Sequence, residues 1–238
     1  MTRLWPRPVV LVEADLAGSD LVFRVRTSDG ELLDESRGIV PLAVASRQEA
    51  PSAASLTSFA QALSATSWVV KGVTGPAQAR SLAALWAHIA AVCEASDQDV
   101  IIDFGRLNRD SDTIALAARC DVMLLVLAAT LEGVHHVAAQ MAELSTALAG
   151  VNPTVIRPLV IGPDTHAAND RRDIAAFLAD RGVLVDPTLS LPYDPRGLGF
   201  IESGEVSSNR ANRSLLVRAG GVVVKTVAST ATDMAGAR

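Results

Sequence analysis

Short apolar runs and longer amphipathic stretches alternate along this chain. Val9-Val10-Leu11-Val12 is a β-branched run that closes on Glu13-Ala14-Asp15. Four consecutive apolar residues without polar alternation predict a strand buried on both faces, which delivers Glu13 and Asp15 at its carboxyl end. Pro8 falls at or just before the first strand residue, where a missing N–H is tolerated. Residues 18–60 are weakly periodic. Asp29-Gly30 marks a turn, and 48–58, rich in Ala, Ser and Thr, mixes loop with helix. Trp68-Val69-Val70 predicts a second strand. Gly72, Gly75 and Pro76 then lead into a helix through Leu82, Leu85 and Ile89, with Pro76 suited to its first turn.

Val100-Ile101-Ile102-Asp103 predicts a third strand, followed by Phe104-Gly105-Arg106-Leu107. Beyond it the pattern predicts a helix over 112–120, a strand over 122–127 and a long helix over 131–148. A strand over 155–161 contains Pro158, which favours an edge position or a bulge. A helix over 170–180, a strand over 183–191 and a last helix over 215–227 follow, and 229–238 is expected to be a flexible tail. Apolar strands alternating with helices define an α/β fold, a mostly parallel sheet flanked by helices on both faces, in a single domain over 1–228.

Composition narrows the function. The chain has 238 residues, 49% hydrophobic, enough to bury roughly 70–75% of its unfolded surface. With 21 Lys+Arg against 26 Asp+Glu the net charge is −5, so no basic surplus faces a phosphate backbone. Only 4% of residues are aromatic, which leaves little for base stacking. No nucleic-acid signature emerges. No apolar run is read as reaching the ~18–20 residues of a membrane span, and the N-terminus lacks a signal-peptide core. A cytoplasmic protein without membrane contact is expected; Gly220-Gly221 weaken the last helix as an amphipathic anchor. Cys93 and Cys120 suit buried thiols rather than a disulfide framework or zinc site. His135-His136 are adjacent and cannot share a helix face, and Arg171-Arg172 suit a solvated helix start.

Open parallel sheets bind ligands beyond the carboxyl ends of their strands. Glu13, Asp15 and Asp103 lie at such ends. An apolar strand closing on Asp suits a magnesium–phosphate site, because Mg²⁺ takes hard oxygen ligands. The competing reading is that acids stand there because the chain is leaving the core.

Taken in order, these segments resemble the ParA/MinD group of deviant P-loop ATPases. Val9-Val10-Leu11-Val12-Glu13-Ala14-Asp15 resembles the family's strand with its D-x-D segment, and Asp99-Val100-Ile101-Ile102-Asp103 its Walker B strand. Asp121-Val122-Met123-Leu124-Leu125-Val126 resembles the strand that follows. Leu191-Pro192-Tyr193-Asp194-Pro195, with Gly204 downstream, resembles the loop beside the nucleotide base, and Asn212-Arg213-Ser214-Leu215-Leu216 the start of the closing helix. The segment Asp103-Phe104-Gly105-Arg106-Leu107 resembles an actinobacterial branch akin to the TadZ/CpaE pilus-localisation proteins. The resemblance implies a nucleotide crevice bounded by Glu13, Asp15, Asp103, Gly105, Pro192 and Asp194, with Asp103 as the Mg²⁺ residue if a nucleotide binds.

One departure dominates. The family's glycine-rich phosphate loop precedes the first of these strands, and here only residues 1–8 do. The first strand, the P-loop and its helix are therefore expected to be missing. Lys71-Gly72-Val73-Thr74-Gly75-Pro76-Ala77 imitates such a loop, but Pro76 and Ala77 stand where the Lys and the Mg²⁺-binding hydroxyl belong. Each charge-assisted bond of a P-loop contributes about 1.5–3 kcal/mol. Losing four or five removes roughly the whole ~8 kcal/mol of a micromolar complex. Glu13 also replaces the family's usual Asp.

The reading is a degenerate ParA/MinD-like protein, a non-catalytic interaction or positioning module of the partitioning, septum-site or pilus/secretion type. It needs no cofactor, keeps Asp15 only as a vestige of catalysis, and is compatible with a dimer. Its expected partners are proteins: an intact homologue, or a pilus or secretion ATPase. The alternative is an active ATPase whose Walker A segment lies upstream, in which case Mg-ATP is the cofactor. Loss of an internal strand would leave three outcomes: the sheet closes up, a partner donates a strand, or the true start lies upstream.

Overall fold

The computed structural model describes residues 1–48, 50–52, 54–149, 154–182 and 189–236. Two compact units divide the chain, Thr2–Arg119 and Cys120–Arg238, the second joined by Met1. Each has its own sheet. The α/β class and the parallel strands stand as expected; the hydrogen-bonded strands fall into two sheets.

In the unit Thr2–Arg119 the strands are β1 (Val9–Glu13), β2 (Gln61–Ser64), β3 (Ser67–Val70) and β4 (Asp99–Asp103). Their order is β2-β3-β1-β4. β1 runs parallel to β3, with Val12 beside Val70, and parallel to β4, with Glu13 beside Asp103. Only the β2–β3 pair is antiparallel. Helices α1 (Leu21–Arg24), α2 (Ile39–Ala45), α3 (Ser55–Phe59), α4 (Pro76–Ser81), α5 (Trp86–Glu94) and α6 (Ile114–Ala117) surround it. Period-two alternation divides the strand residues between two faces. Val10, Val12 and Val70 pack with Ile39, Leu42, Leu56, Trp86 and Ile89. Leu11, Val69 and Leu63 pack with Leu21, Val22 and Leu33. Both faces are covered, which is why β1 reads as an unbroken apolar run.

Two helices differ from expectation. The one predicted through Leu82, Leu85 and Ile89 is three pieces, α4, a 3₁₀ turn Ala83–Leu85, and α5. Leu82 and Trp86 are both buried. The expected helix over 112–120 is one turn, α6, because Thr113 and the chain ahead of it form turns of their own.

The unit Cys120–Arg238 holds β5 (Val122–Ala128), β6 (Val155–Gly162) and β7 (Leu189–Pro192), all parallel, in the order β5-β6-β7. α7 (Leu131–Ala147) packs against β5, and α8 (Ala167–Ala179) and α10 (Leu215–Gly236) against β7; α9 is Pro195–Ser203. Thr130 caps α7, its Oγ1 accepting from Gly133 N–H at 3.1 Å. β6 is the middle strand, so Pro158 is not on an edge strand. Among the described residues β7 pairs with β6 from Leu159 onward, one residue after Pro158. Residues 183–188 of the expected 183–191 strand lie outside the described residues.

The expected tail is helical. α10 continues to Gly236, with Val217, Val224, Val227 and Ala228 forming a buried stripe at helical spacing. Thr226, Thr230 and Thr232 return their hydroxyls to carbonyls four residues back, so their side chains satisfy themselves within the helix. That extension also corrects the reading of apolar length: over Leu215–Met234 this helix is long and apolar enough to cross a membrane by length and composition. The core helix of a globular domain passes the same test.

Candidate functional site

In the unit Thr2–Arg119 the carboxyl ends of β3, β1 and β4 lie side by side, which brings Glu13, Asp15, Asp103 and Gly105 together. Glu13 ends β1 and is buried, 4% exposed. Its Oε2 accepts from the Gly72 N–H at 2.9 Å, in the turn after β3. Glycine is needed at 72, since a Cβ would meet the Glu13 carbonyl at 2.9 Å and the carboxylate at 3.0 Å. Asp15 Oδ1 accepts from Ala17 N–H at 2.8 Å. Asp103 Oδ1 accepts from Gly105 N–H at 3.0 Å, and the Asp103 carbonyl from Ala14 N–H at 2.7 Å. Gly105 has φ +58°, and a Cβ on it would overlap the Asp15 carboxylate.

The acids therefore converge, as their strand-end positions predicted, but each is tied to backbone N–H groups. Asp103 is exposed and Asp15 half-buried. Chemically this end of the sheet is anionic, repels a bare phosphate and attracts a hydrated cation. Among the described residues no group of three or more His, Cys, Asp or Glu side chains is close enough to hold a metal directly.

Mg-ATP also needs donors for its phosphates, and the segment 71–77 does not fit them. Gly72 turns its N–H to Glu13, and Thr74 turns its N–H to Gln78 Oε1 at 2.8 Å. The Lys71 carbonyl accepts from Ile39 N–H at 2.8 Å and the Lys71 side chain is buried. Pro76 opens α4 with no N–H to give.

In the unit Cys120–Arg238, Pro192 ends β7 and is buried beside Gly162. Asp194 caps α9 by accepting from Gly197 N–H at 2.9 Å. Its other oxygen accepts from Ser214 Oγ at 2.9 Å and Leu216 N–H at 3.3 Å. One carboxylate thus binds the heads of two helices. The Gly197 N–H first, then the Ser214 hydroxyl, hold it below the usual carboxylate range. Gly197 leaves room for this: a Cβ there would meet Asp194 Oδ2 at 2.6 Å and Leu216 Cβ at 2.8 Å. Gly204 closes α9 with φ +81° in the left-handed region. Asp194 thus has a structural role of its own at the heads of α9 and α10.

Several partners escaped sequence reasoning. Trp5 Nε1 and Arg7 Nε both donate to Asp99 Oδ2, at 2.6 and 2.7 Å, and fasten the N-terminal segment to the start of β4. Gln61 Oε1 accepts from Asp34 N–H at 2.6 Å while its amide donates to the Asp34 carbonyl at 3.0 Å. Neither pair has a local spacing signal. Ser214 could have been suspected, since it lies in the quoted Asn212-Arg213-Ser214 segment. His135 and His136 are exposed, ring edge to ring. Arg171 donates to Ser190 Oγ at 2.8 Å. Cys120 is half-buried, and burial of its sulfur, then Asp121, push the thiol up to about 12.

No family model matches this chain, and no curated protein does. Solved structures do. A ParA family ATPase from Chlorobium tepidum matches with a TM-score of 0.68 at 16% identity, covering 92% of this chain and 85% of that one. Apo McdA from Cyanothece matches with a TM-score of 0.64 at 16% identity, covering 93% and 88%. The septum site-determining protein MinD from Pyrococcus horikoshii, solved with Mg-ADP, matches with a TM-score of 0.56 at 15% identity, covering 91% and 83%. The α/β fold of this chain is therefore that of the ParA/MinD-type ATPases.

Proposed function

We propose that this chain is a non-catalytic interaction and positioning module built on the ParA/MinD scaffold, acting in the cytoplasm on protein partners. An intact homologue or a pilus or secretion ATPase suits that role, as for the TadZ/CpaE-like branch. The observation that carries the reading is the turn after β3. Its Gly72 N–H is committed to Glu13 and its Thr74 N–H to Gln78, which leaves the anionic strand ends without a phosphate cradle from this turn. Glu13, Asp15, Asp103 and Gly105 then hold adjoining turns in place, and Pro192 and Asp194 hold the start of α9. MgATP at millimolar concentration should leave the melting temperature of the 238-residue chain unchanged. A rise of several degrees would reject the reading.

A second reading has one observation in its favour. The exposed Asp103 carboxylate stands at the end of β4, an apolar strand with a partner on one side only among the described residues. An upstream segment carrying a strand and a Walker A loop would complete both features and make the protein an ATPase, with Asp103 holding the Mg²⁺ water shell and Asp15 orienting water. Intact mass of the endogenous protein separates the two. Agreement with 24.9 kDa supports the first. An excess of about 3–4 kDa, enough for a strand, loop and helix, supports the second.

A further inference from the structure

β2 stands at the end of its sheet opposite β4. Beside it is an open cavity of about 340 Å³, whose lining includes Asp29, Glu31, Leu32, Asp34, Arg37 and Gln61. The whole lining comes from residues 27–62 of the unit Thr2–Arg119. The volume lies at the small end of the ~300–1,000 Å³ typical of small-molecule sites.

Two turns carry the charges, and both are fastened to β2. The Ser28 N–H donates to the Ala62 carbonyl at 2.8 Å and the Thr27 N–H to the Glu31 carbonyl at 2.9 Å, which sets Asp29 and Glu31 on one turn. Gln61, 5% exposed, braces the other. Its Oε1 accepts from the Asp34 N–H, and its Nε2 donates to the Asp34 carbonyl at 3.0 Å and the Arg37 carbonyl at 3.4 Å. Arg37 Nη2 donates to the Ser58 and Ala60 carbonyls, at 3.1 and 2.7 Å. The guanidinium is thus held in place before any ligand arrives, which lowers the ordering cost of binding.

The opposite charges around this cavity do not neutralise one another. Among the described residues Arg37 forms no ion pair, and its Nε and Nη1 donate to nothing. The Asp29 and Glu31 carboxylates accept no hydrogen bond, and Asp34 uses one oxygen, on Ser36. A simple anion would face three carboxylates, and a polyamine would leave Arg37 against positive charge alone. No three of these acids are close enough to hold a metal. A ligand bearing both signs suits the cavity, and the excess of carboxylates calls for a second positive group.

We propose that this cavity binds a free basic α-amino acid such as arginine, its carboxylate on Arg37, its α-ammonium on Asp34 and its side-chain cation at Asp29 and Glu31. Asp34 and Arg37 lie within electrostatic reach of each other, as two groups on one α-carbon require. Leu32, 60% exposed, offers an apolar surface to the methylenes between them and the far cation. The site goes beyond the reading of the chain as an interaction module and does not depend on the anionic strand ends.

Nitrogen-15 heteronuclear spectra of the full 238-residue chain, titrated with L-arginine, test the proposal. Saturable shifts are expected within residues 27–37 and 61–62. Agmatine, which lacks the carboxylate, and Nα-acetyl-L-arginine, which lacks the ammonium, should each bind at least ~10-fold more weakly. The double variant Asp29→Asn, Glu31→Gln changes two exposed side chains that bond nothing in the fold. It should weaken L-arginine ~10-fold or more and leave L-alanine, which has no side-chain cation, unaffected. Agmatine binding as tightly as L-arginine would reduce the cavity to an acidic patch and overturn the proposal. So would the absence of saturable shifts up to about 10 mM L-arginine.

Discussion

The Asp15 carboxylate occupies the space that a side chain on Gly105 would need, and so two turns after neighbouring strands fit only because residue 105 has no Cβ. Gly105 at φ +58° also adopts a backbone conformation that favours glycine. Sequence separates these residues by ninety positions; the parallel pairing of β1 with β4 brings them together.

Gly105→Ala should therefore destabilise the protein by about 2–3 kcal/mol, through overpacking plus the cost of a left-handed non-glycine residue. Urea unfolding measures it. Combining it with Asp15→Gly should recover the overpacking part, and a double variant as unstable as the sum of the singles would contradict the contact.

Asp194→Ala should cost about 1–2 kcal/mol, because it removes the cap of α9 and two hydrogen bonds at the head of α10. Asp194→Asn should be milder. Thermal melts of both against the parent check the order.

Acid should act through the same residue. The folded Asp194 carboxyl lies below its ordinary value, so its contribution is present above about pH 4 and is lost as pH falls through the depressed folded value. Asp34, held low first by the Ser36 N–H and hydroxyl, contributes with the same sign. Urea midpoints between pH 6 and 2 should fall less steeply for Asp194→Asn than for the parent.

Cys120, with its thiol pushed up to about 12, should be nearly inert to iodoacetamide at pH 8, where about one molecule in 10⁴ carries the thiolate. Mass spectrometry before and after denaturation should show labelling appear only on unfolding. Rapid labelling of the native protein would contradict the burial.

Trp5→Phe should cost about 1 kcal/mol by removing the indole donor to Asp99, and Arg7→Ala less than about 1 kcal/mol because that pair is half-exposed. The double variant should increase proteolysis of the first eight residues.

The sequence by itself determined the α/β class, the central strands and the grouping of Glu13, Asp15 and Asp103. Those follow from local facts: β1 and β4 are unbroken β-branched runs, and acids at their ends share one edge once the strands are parallel. It also marked 71–77 as unfit for phosphate, because Pro76 and Ala77 lack the needed groups. Tertiary structure alone decided how those pieces are used. Pro158 sits in the middle strand of its sheet, and α10 extends to Gly236 since Val227 and Ala228 are buried and its threonines bond within the helix. Asp194 is a tie between two helices because Ser214, twenty residues on, returns to it. Spacing along a chain records periodicity and turn chemistry, whereas a hydrogen bond between distant residues depends on which strands become neighbours. That choice is made by burial of the whole unit.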